Sequence, residues 1–199
     1  MSNIGTIILA AGGSIRLGQP KQLLPYRNKT LLTSFINESV AVAAGPVLVV
    51  LGGYADEIIN HLPSGIKYVI NTNWHEGLGT SIRTGISSIM TETSKLDAVI
   101  VAVADQPFAD RNVLGKLILR HRDTKKGIVA STYAKTIGTP ALFDKRYFQQ
   151  LLDLNGDEGA KKIFNLFQSD LETITFELGA IDIDTAEDYN NLKLLNAND

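Results

Sequence analysis

The chain has 199 residues, 44% hydrophobic and 20% charged, with 17 Gly, 6 Pro and no Cys; this fits an ordinary globular protein and excludes a disulfide scaffold or a thiolate metal site. A formal net charge of −2 argues against a general nucleic-acid binder. The longest apolar run, residues 98–104, is far short of the ~20 residues a helix needs to cross a bilayer, and the N-terminus lacks the basic leader of a secretory signal, so a cytoplasmic protein without membrane contact is expected.

Residues 5–11 form a short β-rich apolar run of the kind buried on both sheet faces. The same signal returns at 47–51, 67–70, 98–104 and 127–131. Between these runs lie segments of helical period: 31–44 with Leu31, Leu32, Phe35 and Ile36 on one face, 81–90 with Ile82, Ile86 and Ile89, and 110–122 with Val113, Leu114, Leu117 and Ile118. Strand alternating with helix predicts an α/β fold, a doubly wound and mostly parallel sheet with helices on both faces. Beyond residue 131, Gly138-Thr139-Pro140 is read as an interruption before helices over 144–154 and 157–167, the second N-capped by Asp157. A strand over 173–176, an alternating segment 181–184 and a closing helix over 185–195 complete the expectation. No linker, repeat or low-complexity tract divides the chain, so one domain over 1–199 is expected.

Charge is unevenly spread. Arg16, Lys21, Arg27 and Lys29 precede the first acid, Glu38, leaving 15 basic against 21 acidic groups for the rest. Such a cluster is either a local polyanion site or a solvated basic rim. The turn after the first strand, LAAGGSIRLGQPK over residues 9–21, favours the former. Gly12 and Gly13 let successive amides turn toward an anion, and Arg16 and Lys21 supply charge. It is neither a P-loop nor a GxGxxG fingerprint, and Gly-Gly alone can be a tight turn. In a doubly wound sheet the first and fourth strands are commonly neighbours at the ligand-binding switch point. Asp105, just after the fourth strand, is thereby expected beside the loop, where a carboxylate near phosphates calls for a cation such as Mg2+, although Asp before Gln106-Pro107 also suits a plain turn. Alternation places Asp182 and Asp184 on one face of a short strand over 181–184, making Asp184 either a second metal ligand or a helix cap, with Thr185 and Asp188 resembling a capping pair. His61, His75 and His121 lack metal-ligand spacing and read as surface or packing groups.

The loop LAAGGSIRLGQPK, followed in order by NTNWHEGLGTSIRTG, VADQP, GTPALF, LNGDEGAK and DIDTAEDY, resembles the MobA-like nucleotidyltransferases, and within them the molybdenum cofactor cytidylyltransferase branch. The resemblance implies a Rossmann-like fold of the nucleotide-diphospho-sugar transferase type, with a nucleotide-binding N-terminal part and an acceptor-facing region at about 132–180. It implies that Leu9, Ala10, Ala11, Gly12 and Gly13 hold the nucleotide, that Arg16 and Lys21 bind its phosphates, and that Asn71, Gly77 and Ser81 line the base and ribose pocket. Asp105 and Asp184 match magnesium ligands, while Gly138, Pro140, Gly156, Asp157 and Gly159 fall in acceptor-facing segments. The implied reaction is transfer of CMP from CTP to the phosphate of molybdopterin, releasing pyrophosphate, with a molybdoenzyme as client. Leu17 and Ala186 depart from the family's usual Met and Pro. Two rival readings are a transferase using GTP or another phosphorylated acceptor such as a sugar phosphate, and a non-catalytic protein that delivers the cofactor.

Overall fold

A computed structural model describes residues 3–93 and 95–196. In chain order the elements are β1 (Ile4–Ala10), β2 (Pro25–Tyr26), β3 (Lys29–Thr30), α1 (Leu31–Val42), β4 (Val47–Leu51), α2 (Ala55–Ile59), β5 (Lys67–Ile70), α3 (Leu78–Glu92) and β6 (Ala98–Val103). They continue with α4 (Arg111–Thr124), β7 (Ile128–Tyr133), β8 (Thr136–Asp144), α5 (Phe148–Leu152), α6 (Lys161–Leu166), β9 (Leu171–Thr175) and α7 (Ala186–Asn196). Seven strands form one sheet in the order β5-β4-β1-β6-β8-β7-β9, and β2-β3 is a separate hairpin. Within the seven-stranded sheet only β8 runs against its neighbours, β6 and β7, and the other pairings are parallel.

The continuous apolar character of β1 and β6 follows from burial on both faces. Ile4, Ile8 and Ala10, with Ala98, Ile100 and Ala102, pack against Leu32, Phe35 and Ile36 of α1 and Leu114 and Leu117 of α4. The intervening Ile7, Leu9, Val99 and Val101 pack against Ile82, Ile86 and Ile89 of α3 and Ile163 and Phe164 of α6. The helical faces expected for α1, α3 and α4 are the buried ones. Asp110 caps α4, its carboxylate accepting from the amides of Asn112 and Val113.

Four expectations need correction. Gly138-Thr139-Pro140, read as an interruption before a helix, lies inside β8, a strand in the sheet interior. Pro140 argues against an interior strand because it lacks an amide donor; here the register of β7 and β8 shifts between Ala130 and Ser131, and the Ser131 hydroxyl donates to Pro140 O at 2.7 Å. The helix expected over 144–154 is shorter, α5 preceded by a 3-10 turn at Lys145–Tyr147. Asp157 is not an N-cap, since α6 starts only at Lys161, after a turn in which the Asn155 amide donates to the Glu158 carboxylate. Residues 181–184 join no sheet; the Ile183 amide donates to Asp105 O at 3.0 Å, and the fully buried Ile183 side chain packs with Leu24, Tyr26, Leu31 and Leu192.

Candidate functional site

β1 and β6 leave the sheet side by side: Leu9 pairs with Val103, and the Ala104 amide donates to Leu9 O at 3.0 Å. Parallel pairing brings both carboxyl ends to one edge, so the loop after β1 and Asp105 after β6 emerge together. Gln22, only 2% exposed, sits in a 3-10 turn at Lys21–Leu23 and organises the loop. Its Nε2 donates to Ala10 O at 2.9 Å and to Gly12 O at 3.2 Å, engaging the carbonyls at the loop's start. At the other end the Lys21 amide donates to Ser14 Oγ at 3.1 Å. The glycine loop is thereby tied at two points to the turn that carries Lys21. Gly13 has to be small, because a Cβ there would lie 2.7 Å from the Trp74 indole.

The charged groups converge. Lys21 Nζ lies 2.6 Å from Asp105 Oδ2 and 2.8 Å from Asp184 Oδ1, and Arg16 hydrogen-bonds the other oxygen of Asp184. Burial opposes charge on Lys21, but the nearby Asp105 and Asp184 carboxylates outweigh it and hold the ammonium above its usual range. It stays a cation and cannot serve as a base near neutrality. Burial likewise pushes the Asp184 carboxyl up, yet Lys21 and Arg16 prevail and keep it below the ordinary carboxylate range. Asp182 shifts upward through burial and the facing charges of Asp105 and Asp184. Asp184 does not cap α7. Thr185 and Asp188 do so reciprocally: Thr185 Oγ1 accepts from the Asp188 amide, and Asp188 Oδ2 accepts from the amides of Asp184 and Thr185. The Asp184 carboxylate is left for the cluster.

A cleft of about 370 Å3 opens over this edge, lined by Leu9, Ala10, Ala11, Gly12, Gly13, Lys21, Gly77, Ser81, Asp105 and Asp157 among others. Its far wall is the start of α3 and the turn before α6. The two elements meet at Gly77, which has φ +120° and whose Cβ would fall 2.4 Å from the Gly156 carbonyl; only glycine tolerates both. The Gly79 amide donates to Gly156 O at 2.8 Å, which seats Asp157 at the cleft mouth. Asn71 is buried, and its Nδ2 donates to the hydroxyls of Thr80 and Ser81 at 2.9 and 3.0 Å. It therefore orients Ser81 from behind and borders a neighbouring cavity with Gly52, Gly53 and Trp74.

The structure thus brings the glycine loop, Lys21, Gly77, Ser81, Asp105 and Asp157 together, with Arg16 and Asp184 at the charged end. Gly138 and Pro140 lie within β8 and are not among the lining residues; a Cβ on Gly138 would strike the Tyr133 hydroxyl. Gly159 packs beside Leu78 at the cleft's back wall. Sequence reasoning missed Gln22, Trp74 and Leu78 as lining residues, and took His75 for a bystander although it stands edge-on to Trp74 in the lining. The only Trp in the chain, set within NTNWHEGLGTS, was a usable signal; nothing marked Gln22. Two carboxylates at one point suit a hard divalent cation that completes its coordination with water and substrate phosphates. Among the described residues no group of three or more His, Cys, Asp or Glu is placed to hold a metal.

The chain is 28% identical to the nicotine blue oxidoreductase of Paenarthrobacter nicotinovorans over 91% of its own length and 92% of the relative's. It is 26% identical to the molybdenum cofactor cytidylyltransferase of Escherichia coli (strain K12), with 95% of each chain covered. Among solved structures, the homologue of Mycobacterium tuberculosis Rv0371c from Mycobacterium sp. strain JC1 superposes with a TM-score of 0.81 at 28% identity, covering 96% of this chain and 94% of that one. Residues 6–173 match the model of the MobA-like NTP transferase domain, and the chain belongs to that family.

Proposed function

We propose that the protein transfers CMP from CTP to the terminal phosphate of a molybdopterin-type acceptor and releases pyrophosphate. The observation that carries this reading is the convergence of Lys21, Arg16, Asp105 and Asp184 beside the Gly12-Gly13 loop at one sheet edge. In this reading Leu9 to Gly13 hold the nucleotide, their small residues allowing backbone amides to approach it closely. Arg16 and Lys21 neutralise its phosphates, while Gly77 and Ser81, the latter oriented by Asn71, border base and ribose. Asp157, Gly156 and Gly159 face the acceptor from the opposite wall. Gly138 and Pro140 act at one remove, through the strand that supports that side.

An acceptor phosphate oxygen attacks the α-phosphorus in line; the new P–O bond forms as the bond to the β-phosphate oxygen breaks and pyrophosphate leaves. A phosphate monoester has a second pKa of about 6, so the nucleophile is already ionised and no base has to take a proton. What remains is positioning and charge neutralisation, which dominate phosphoryl-type transfer. Asp105 and Asp184 would hold Mg2+, which when bound neutralises charge on the triphosphate. Lys21, fixed as a cation, stabilises the charge that gathers on the leaving pyrophosphate.

The identity of the base rests on the likeness of the Ala11 and Gln19-Pro20-Lys21 segments to the cytidylyltransferase branch and on the full-length match to a protein of that name. Pyrophosphate release measured over a panel of triphosphates, with and without molybdopterin, tests the whole reading. CTP is expected to exceed GTP, with turnover only when the acceptor is present and CMP-molybdopterin as the product by mass. GTP equal or better refutes the cytidylyl assignment; turnover with a sugar phosphate alone refutes the pterin acceptor; binding without pyrophosphate release favours a delivery protein.

A further inference from the structure

One ammonium satisfies both carboxylates of the charged edge. Lys21 Nζ takes an oxygen from Asp105 and an oxygen from Asp184, 2.6 and 2.8 Å away, and its side chain is only 14% exposed. Arg16 differs: it reaches Asp184 alone, and its side chain is 68% exposed. Lys21 therefore stands where a divalent cation bridging the two acids has to bind. Such an ion sits about 2.0–2.1 Å from carboxylate oxygens when it is Mg2+, so an ammonium bonded to those same oxygens crowds it and repels it. A lysine suits an exchange of partners because a single charge on a flexible four-carbon stem can move from one set of acceptors to another.

We propose that Lys21 is the resident counter-ion of the Asp105–Asp184 pair, which keeps divalent metal out of the nucleotide-free protein and moves to the triphosphate when nucleotide binds. The proposal rests on reading these two acids as metal ligands. Metal then enters with the nucleotide, and the same cation serves first as a placeholder and then as a phosphate ligand. The pairing supports an exchange: Arg16 and Lys21 face Asp105 and Asp184 in the free protein, with Asp182 nearby in either state, so loss of the ammonium makes the cluster more negative and more receptive to a divalent cation. The tie between the Lys21 amide and Ser14 Oγ fixes the lysine's backbone, so the exchange requires only a swing of the side chain. A site blocked by an internal cation shows an apparent metal affinity reduced by the fraction of molecules in which that cation is displaced.

The test is titration of the nucleotide-free protein with Mn2+, free ion being read by electron paramagnetic resonance, for wild type, Lys21→Ala and Lys21→Met. Both variants are expected to bind Mn2+ at least tenfold more tightly than wild type, the opposite of their effect on turnover. A non-hydrolysable CTP analogue, read against the same analogue without protein because its triphosphate itself binds Mn2+, should restore tight Mn2+ binding to wild type, and Asp105→Asn added to Lys21→Ala should remove the gain. Equal Mn2+ affinity of wild type and both lysine variants without nucleotide, lost in Asp105→Asn, overturns the exchange while leaving the metal site standing. If none of the proteins binds Mn2+ with or without the analogue, the metal reading falls and this proposal with it.

Discussion

At the scale of single residues, Lys21 and its neighbour Gln22 divide the work between charge and position. Lys21→Ala is expected to lower turnover with CTP by about 10²- to 10³-fold, the usual effect of removing one preorganised group that stabilises developing charge, with an unchanged far-ultraviolet circular dichroism spectrum. Gln22→Leu removes the donor to Ala10 O and Gly12 O, bonds worth about 0.5–1.5 kcal/mol each. It also removes Gln22 Oε1, a buried oxygen without a hydrogen-bond partner, which offsets part of that loss. Thermal stability should therefore change little, while the KM for triphosphate rises about tenfold because the loop amides lose their fixed relation to Lys21. A large drop in Tm with normal kinetics would make Gln22 a packing residue only. The cations concentrated before Glu38 were legible in sequence as either a polyanion site or a basic rim, and the fold brings two of them, Arg16 and Lys21, onto Asp105 and Asp184. Gln22 was not legible, since a glutamine that serves backbone carbonyls looks in sequence like any surface glutamine.

Elements explain why some parts of the chain could be read and others could not. β1, β4 and β6 announce themselves because burial on both faces demands unbroken apolar runs, and α1, α3 and α4 because one buried stripe imposes a 3.6-residue period. β8 hid behind Pro140, whose missing donor is accommodated by the register shift opposite it. The segment 181–184 shows the opposite error: its alternation is real, with Ile183 buried between two acids, but it arises from packing on the cluster under α7 and involves no strand partner. The start of α7 offers a clean separation of roles. Thr185→Ala breaks the reciprocal cap with Asp188 and should cost about 1 kcal/mol, lowering Tm by roughly 2–4 °C for a chain of this size with little change in turnover. Asp184→Asn should do the reverse, because the Asp184 side chain takes no part in the cap. Calorimetry and steady-state kinetics on the two variants distinguish the assignments, and a turnover loss as large for Thr185→Ala as for Asp184→Asn would remove the distinction.

Across the whole molecule, the site exists only because distant segments meet. Asp105 is delivered by β6 pairing with β1, and Asp184 by the Ile183 amide bonding to Asp105 O while its side chain anchors beneath α7. Neither tie is local, so the sequence could suggest the meeting from strand order alone but could not reveal that Lys21 would bridge the pair. If the two carboxylates hold one metal, each of Asp105→Asn and Asp184→Asn should raise the Mg2+ concentration needed for half-maximal turnover and lower kcat by a comparable factor. The double variant should then be little worse than the weaker single variant, because the second change acts on a site already disabled, and groups in contact do not contribute additively. Independent roles predict instead that the two losses multiply. The comparison has to be made near neutral pH: Lys21 and Arg16 keep Asp184 ionised well below that range, so protonation does not mimic the Asn substitution. Asn keeps the shape and loses the charge, so a loss of turnover with an unchanged Mg2+ requirement would assign both acids to the alignment of Lys21 and Arg16 rather than to a shared ion.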